Sequence, residues 1–131
     1  MTLPPLSEAE IKKGVGDWLQ YQENLGKLIF LRLNSGTAYV KKGDRDYAIK
    51  LCPVGTADFV TFQAGFLFQP HYKGQSKGQV HPICFVDFLE VKTLKGKTSK
   101  AQDEFAEKVR QHHCKYAVVR SVEEAIEALK H

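Results

Sequence analysis

The chain lacks the features that would commit it to a membrane, to export or to cysteine chemistry. No apolar run approaches the roughly 18 residues needed to span a bilayer. Met1 to Ile11 shows no basic start followed by an apolar stretch, so no signal peptide is apparent. Cysteine is scarce: Cys52, Cys84 and Cys114 stand far apart, their number is odd, and no C-x-x-C pair exists. That argues against a zinc ribbon and against thioredoxin-like chemistry, and leaves three reduced, partly buried thiols as the plain reading. There is no internal repeat and no low-complexity segment. There is also no serine–histidine constellation for acyl transfer, because Ser7, Ser99 and Ser121 all stand where helices should begin.

What is present is a hydrophobic fraction of 43% in 131 residues. That suffices for one packed domain over residues 1–131 and is too much for a disordered tail. An intracellular protein with no membrane partner is the expectation. The net charge of +4 is a mild basic bias, compatible with a polyanionic partner. Its distribution is more informative. Lys92, Lys95, Lys97 and Lys100 fall close together, and Lys41, Lys42, Arg45 and Lys50 form a second group. An ordinary solvated surface explains either group equally well in isolation.

Three segments share one helix-start grammar. Ser7 precedes Glu10, Ser99 precedes Gln102 and Ser121 precedes Glu124, each by three positions, as a capping box requires. The spacing predicts a first helix over 8–24, with Ile11, Val15, Trp18 and Leu19 on its apolar face and Gly14 and Gly16 weakening it. A second is predicted over 100–113 and a third over 122–130. Between them the period changes to that of strands: 28–33, 37–42, 46–51, a buried strand from 58 to 62 that can resume over 65–68, then 83–92 and 116–120. Residues 69–81 are polar and glycine-rich and read as an exposed loop. The order predicts an α/β (α+β mixed) fold, a mixed sheet with helices packed on it and an α–β crossover near the end.

The segment Phe85-Val86-Asp87-Phe88-Leu89-Glu90-Val91-Lys92 carries the chemistry. Alternation sends Phe88, Glu90 and Lys92 to one side of the strand and Asp87, Leu89 and Val91 to the other. A buried glutamate and lysine each need a partner. A divalent cation and a phosphate would supply both. Such a cation takes oxygen ligands and needs a second acid. Asp58 is the best candidate, delivered by the turn Val54-Gly55-Thr56-Ala57 to the mouth of the strand Phe59 to Phe62. The sequence permits these two strands to be neighbours without showing it. Asp87, on the other face, should not share the ion. His112, His113 and Cys114 are successive residues at a helix end, diverge by about 100° each, and do not make a metal site.

Taken together, Gly55-Thr56-Ala57-Asp58, Glu90-Val91-Lys92 and Gly96-Lys97-Thr98-Ser99-Lys100-Ala101-Gln102 resemble the three central motifs of the VRR-NUC family of PD-(D/E)XK nucleases. Glu10-Ile11 is similar to the family's early glutamate, Arg32-Leu33-Asn34-Ser35-Gly36 to its Arg-x-Asn-x-Gly hairpin, and Tyr116 to Leu129 to its last strand and helix. Nearly the whole chain is covered. The resemblance implies a restriction-endonuclease-like core, a central mixed sheet flanked by helices, similar to archaeal Holliday-junction resolvases. It implies Mg²⁺ or Mn²⁺, hydrolysis of DNA phosphodiesters at junctions or flaps, a homodimer, and a cytoplasmic setting in a bacterial or phage-infected cell. Carried over by position, Asp58 and Glu90 are metal ligands, the Val91 carbonyl faces the ion, and Glu10 is an outer ligand through water. Lys92 is the catalytic lysine and Gln102 an active-site auxiliary. Arg32, Asn34, Lys95, Lys97, Ser99 and Lys100 are expected at the nucleic acid.

Some alternatives stay open on the sequence. Capping alone accounts for Glu10 and Gln102, although Gln102 can cap and still aim its amide into a site. The 69–81 segment exceeds the simpler family members and suits a substrate-contacting loop, a dimer arm or a plain solvated loop. A non-catalytic DNA-binding or assembly module with the same fold, or a nuclease subunit that needs a partner, are the rival functions.

Overall fold

The computed structural model describes residues 3–70 and 78–131. In chain order the elements are α1 (Glu8–Asn24), β1 (Ile29–Arg32), β2 (Thr37–Lys42), β3 (Arg45–Lys50), β4 (Phe59–Gln69), β5 (Gln79–Val91), α2 (Lys100–Gln111), β6 (Lys115–Val119) and α3 (Val122–Ala128). The fold is mixed α/β, with three helices and a mixed sheet. Among the described residues no helix is long and apolar enough to cross a membrane.

The main sheet has the order β1-β4-β5-β6, antiparallel from β1 to β5 and parallel between β5 and β6. The parallel step requires a crossover, and α2 supplies it. β5 therefore lies inside the sheet, as its run of apolar residues requires. β2 and β3 form a separate antiparallel ribbon. It is tied at its base by the Ser35–Cys52 bridge and by Cys52 N–H donating to the Asn34 carbonyl.

Alternation along the strands splits the interior into two layers. Ile11, Val15 and Leu19 of α1 pack with Phe30, Phe59, Leu89, Val91 and Val119 of the sheet and with Ala125 and Leu129 at α3. On the opposite face Ala106 and Val109 of α2 pack with Ala57, Phe88, Phe105 and Tyr116, where Phe105 meets both other rings edge-on. Leu89 is fully buried in the first layer. Leu89→Ala should lower stability by about 2–5 kcal/mol, read from the urea midpoint, because the surrounding side chains cannot collapse fully into the space.

The helix starts follow the capping grammar, with one difference. Ser7 and Ser99 form reciprocal boxes with Glu10 and Gln102. Ser121 accepts from Glu124 N–H, but the Glu124 carboxylate takes the Arg120 amide instead, so that box is one-sided. The larger departure from expectation is the length of β4 and β5. They pair without a break from Phe59–Leu89 to Gln69–Gln79, so residues 69 and 79–81, expected in a loop, belong to a hairpin that runs beyond the packed helices. Residues 71–77 of that expected loop lie outside the described residues.

Candidate active site

A tight turn delivers Asp58 to the sheet. Thr56 donates to the Pro53 carbonyl through both its amide, at 3.1 Å, and its hydroxyl, at 2.7 Å. Gly55 has φ +95°, in the left-handed region, and is buried against the first turn of α2. A Cβ placed on it would lie 2.6 Å from the carbonyl carbon of Ala101. Both facts require glycine. Gly55→Ala should cost about 1–3 kcal/mol in a thermal melt and weaken Mg²⁺ binding in calorimetry, because main chain must move and Asp58 moves with it. Beyond the turn, Asp58 N–H donates to the Leu89 carbonyl at 3.0 Å and the Asp58 carbonyl accepts from Leu33 N–H at 2.8 Å. β4 pairs Phe59 with Leu89, and one further step in the same register sets Asp58 opposite Glu90. The acids from two neighbouring central strands thus meet on one side of the sheet.

Asp58 Oδ2 accepts from Val91 N–H at 2.7 Å, and Oδ1 pairs with Lys12 Nζ at 2.9 Å. Glu90 is 3% exposed. Its Oε1 accepts from Gln102 Nε2 at 2.9 Å and lies 3.9 Å from Lys92 Nζ, while its Oε2 is buried with no hydrogen-bond partner among the described residues. Lys92 Nζ also stands 3.9 Å from Glu8 Oε1. Burial first, and then the negative charge of Asp58, push the Glu90 carboxyl up to about 8, against the opposing pull of Lys92 and Lys12. Burial alone would pull the Lys12 ammonium down. The hydrogen bond and charge of Asp58 outweigh it and raise Lys12, so this lysine stays charged. Nearby, the Tyr116 hydroxyl is buried without a partner among the described residues and is pushed up by burial and then by Glu90.

The structure brings Asp58, Glu90, Lys92 and Gln102 together. Gln102 does two jobs at once, because its Oε1 accepts from Ser99 N–H at 2.9 Å while its amide nitrogen reaches Glu90. Glu10 is not brought in. Its carboxylate accepts from Ser7 N–H at 3.2 Å on an exposed stretch, and two residues of helix turn it about 200° away from Glu8. The helical acid beside Lys92 is Glu8, and with it comes Lys12. Neither stood out in the sequence, yet positions 8, 12, 15 and 19 form one helical stripe that continues Val15 and Leu19 toward the site. Asp87 lies on the opposite face, 1% exposed, with Oδ2 at 2.7 Å from His131 Nε2.

The expected nucleic-acid residues lie on chain segments that adjoin this cluster in sequence or register. Lys95, Lys97, Ser99 and Lys100 are exposed on the segment from β5 into α2. One Arg120 guanidinium nitrogen gathers the carbonyls of Thr93, Leu94 and Gly96 at 2.5, 3.4 and 2.7 Å, which anchors that segment. Arg32 and Asn34 are exposed at and beyond the end of β1. A separate apolar groove lined by Leu33, Cys52, Phe88, Phe105 and Val109 opens on the α2 side and includes neither acid.

Comparison with protein-family models, with curated proteins and with solved structures finds no match for this chain. The chemistry of the site therefore rests on its residues. Among the described residues no third His, Cys, Asp or Glu joins the two acids at metal-ligand spacing. The donors that are present suit a hard cation: two carboxylates on one side of the sheet, one of them with a buried oxygen that no group among the described residues satisfies. Mg²⁺ tolerates so small a protein share, because it keeps several of its waters.

Proposed function

We propose that the chain is a divalent-metal-dependent, structure-selective DNA endonuclease with a PD-(D/E)XK core of the VRR-NUC kind. The observation that carries the reading is the facing of Asp58 and Glu90 across two central strands, with Lys92 beside them and Glu90 Oε2 left unpartnered. Asp58, Glu90 and the Val91 carbonyl would hold Mg²⁺ or Mn²⁺. When bound, the ion supplies Lewis acidity at the phosphoryl oxygen and a lowered pKa for water.

The chain's own groups do the rest. Lys92 holds the attacking water in line and offsets the charge that develops on phosphorus-bound oxygen. Gln102 fixes the Glu90 carboxylate in orientation from the start of α2. Lys95, Lys97 and Lys100 grip the backbone beside the Ser99 helix start, where exposed N–H groups favour a phosphate. These groups read phosphate and not base edges, so strand geometry should govern substrate choice, with branched DNA preferred. A second copy would place a second site on the other strand, which suits a two-fold dimer. Phe66, Leu67, Phe68 and Val80, exposed on the extended hairpin, offer apolar surface for that pairing.

The test is incubation of the purified chain with labelled four-way junction, flap, duplex and single-stranded DNA, with and without Mg²⁺ or Mn²⁺. Cleavage of a branched substrate only with metal is the expected result. Absence of cleavage and of metal binding alike would refute the reading. One observation favours a non-catalytic DNA-binding or assembly module instead: Lys12 already neutralises Asp58 from within the chain. Magnesium calorimetry separates the two, since a pure binder needs no ion at Asp58 and Glu90. A nuclease that works only with a partner subunit would bind the ion yet fail to cut alone.

A further inference from the structure

Gly16 is a costly residue in the middle of α1, and the sequence offers no reason for it. The tertiary structure does. Gly16 is buried, and a Cβ on it would stand 2.8 Å from Cζ and 2.9 Å from Nη1 of Arg32. On the sheet side the Arg32 Cζ sits 5.5 Å from the centroid of the Phe59 ring. The guanidinium is therefore seated against the bare backbone of α1 and the face of an aromatic ring. Among the described residues no carboxylate lies within ion-pair distance of it, unlike Lys12 and Lys92. Arg32 is opposite Phe59 in the β1–β4 register, next in the chain to Leu33, whose amide binds the Asp58 carbonyl. The result is a charged group held in one place, one residue from the main-chain contact that fixes Asp58, with no anion of its own.

We infer that Gly16 and Phe59 form a seat that presents Arg32 as a fixed phosphate clamp, one residue from the Leu33–Asp58 main-chain contact, with Gly16 as its positioning residue. The inference rests on the nuclease reading and deepens it. A guanidinium stacked by its face keeps its edge N–H groups available, and that edge matches two phosphate oxygens at once. A group already held in its bound geometry loses little freedom on binding, so its position should matter as much as its charge.

Gly16→Ala separates position from charge. The three atoms nearest the added methyl all belong to the end of the flexible Arg32 side chain, so it should expel the guanidinium from its seat while α1, with a better helix former, stays folded. The experiment measures binding of a labelled four-way DNA junction without divalent metal across a salt series, together with thermal melting, for Gly16→Ala, Arg32→Ala, Arg32→Lys and the Gly16→Ala/Arg32→Ala pair. The expected result is an affinity loss of about tenfold for each of Gly16→Ala and Arg32→Ala, the loss of one strong charge-assisted contact. The pair should lose no more than either alone. Arg32→Ala should lower the salt slope by about one, and Arg32→Lys should restore that slope without restoring affinity. If Gly16→Ala melts early, the Arg32→Ala pair should regain the lost stability. A Gly16→Ala chain that binds like wild type, or losses that simply add, would overturn the seat. A wild-type chain that binds no DNA would instead remove the nuclease reading itself, and this inference with it.

Discussion

Lys92→Ala is expected to slow DNA cleavage by about 10²- to 10³-fold while leaving affinity for branched DNA nearly unchanged. The reason lies in where the ammonium stands. Lys92 is 14% exposed in its side chain and sits 3.9 Å from one carboxylate on β5 and 3.9 Å from another on α1. It cannot reach along a DNA backbone, so it contributes little to the counterion release that drives binding. It can act only on what comes up to the Glu90 and Glu8 carboxylates. Alanine removes that positive charge, and the developing charge of the transition state then has one stabiliser fewer. Single-turnover cleavage with Mg²⁺, set beside binding in Ca²⁺, measures the two effects separately. Equal losses in both would make Lys92 a binding residue. Arginine should not rescue the rate, because its planar fork does not place a single donor where the compact ammonium stood.

The second large effect couples stability to function at Glu90. Burial and Asp58 raise its carboxyl from 4.5 to about 8 in the folded chain. A raised carboxyl means that the folded state binds the proton more tightly than the unfolded one. The contribution to stability is then full below pH 4.5, falls as pH rises between 4.5 and about 8, and is lost above that. Without metal, urea midpoints should therefore fall across this window, by an amount on the order of a few kcal/mol. Mg²⁺ requires the ionised carboxylate, so its affinity should rise over the same window, and saturating Mg²⁺ should flatten the stability profile. Glu90→Gln should abolish cleavage and metal binding and make the metal-free protein more stable than wild type near pH 8, since the neutral amide carries no buried charge and can still accept from Gln102. A variant less stable at every pH would show that the glutamate serves the fold and not an ion. This is the usual opposition between a strained site and a stable one.

Much of the fold is legible in the sequence alone. Local patterns are strong where they repeat: the α1 bounds follow from the Ser7–Glu10 box and the stripe of Ile11, Val15 and Leu19. The β5 strand follows from its apolar run. The full reach of β4 and β5 was not readable: 65–68 read as a resumed strand, but 69 and 79–81 read as loop. Phe66 to Phe68 pair with Val80 to Pro82 beyond the helices, where both faces meet solvent and the apolar–polar alternation that marks a half-buried strand is absent. The polar, glycine-rich stretch from 69 to 81 then read as loop.

Near the site, local and tertiary signals compete. Glu10 matched a motif by its place in the chain, but the helix start took its carboxylate. Glu8 and Lys12 matched nothing, and the turn of the helix carried them to Lys92 and Asp58. Gly16 weakens α1 locally, and only the packing of Arg32 against it gives the glycine a reason. Gln102 showed that a cap and a site residue can be one side chain.

The sequence by itself determined which residues could do acid–base and cation chemistry, because residue type, strand alternation and helix caps act over a few neighbours. Only the tertiary structure decided which of them meet. Asp58 binds the amide of a residue 33 positions away, and that contact depends on the β4–β5 register. A shift of one residue would turn Glu90 to the opposite face from Asp58, and no local pattern records the choice.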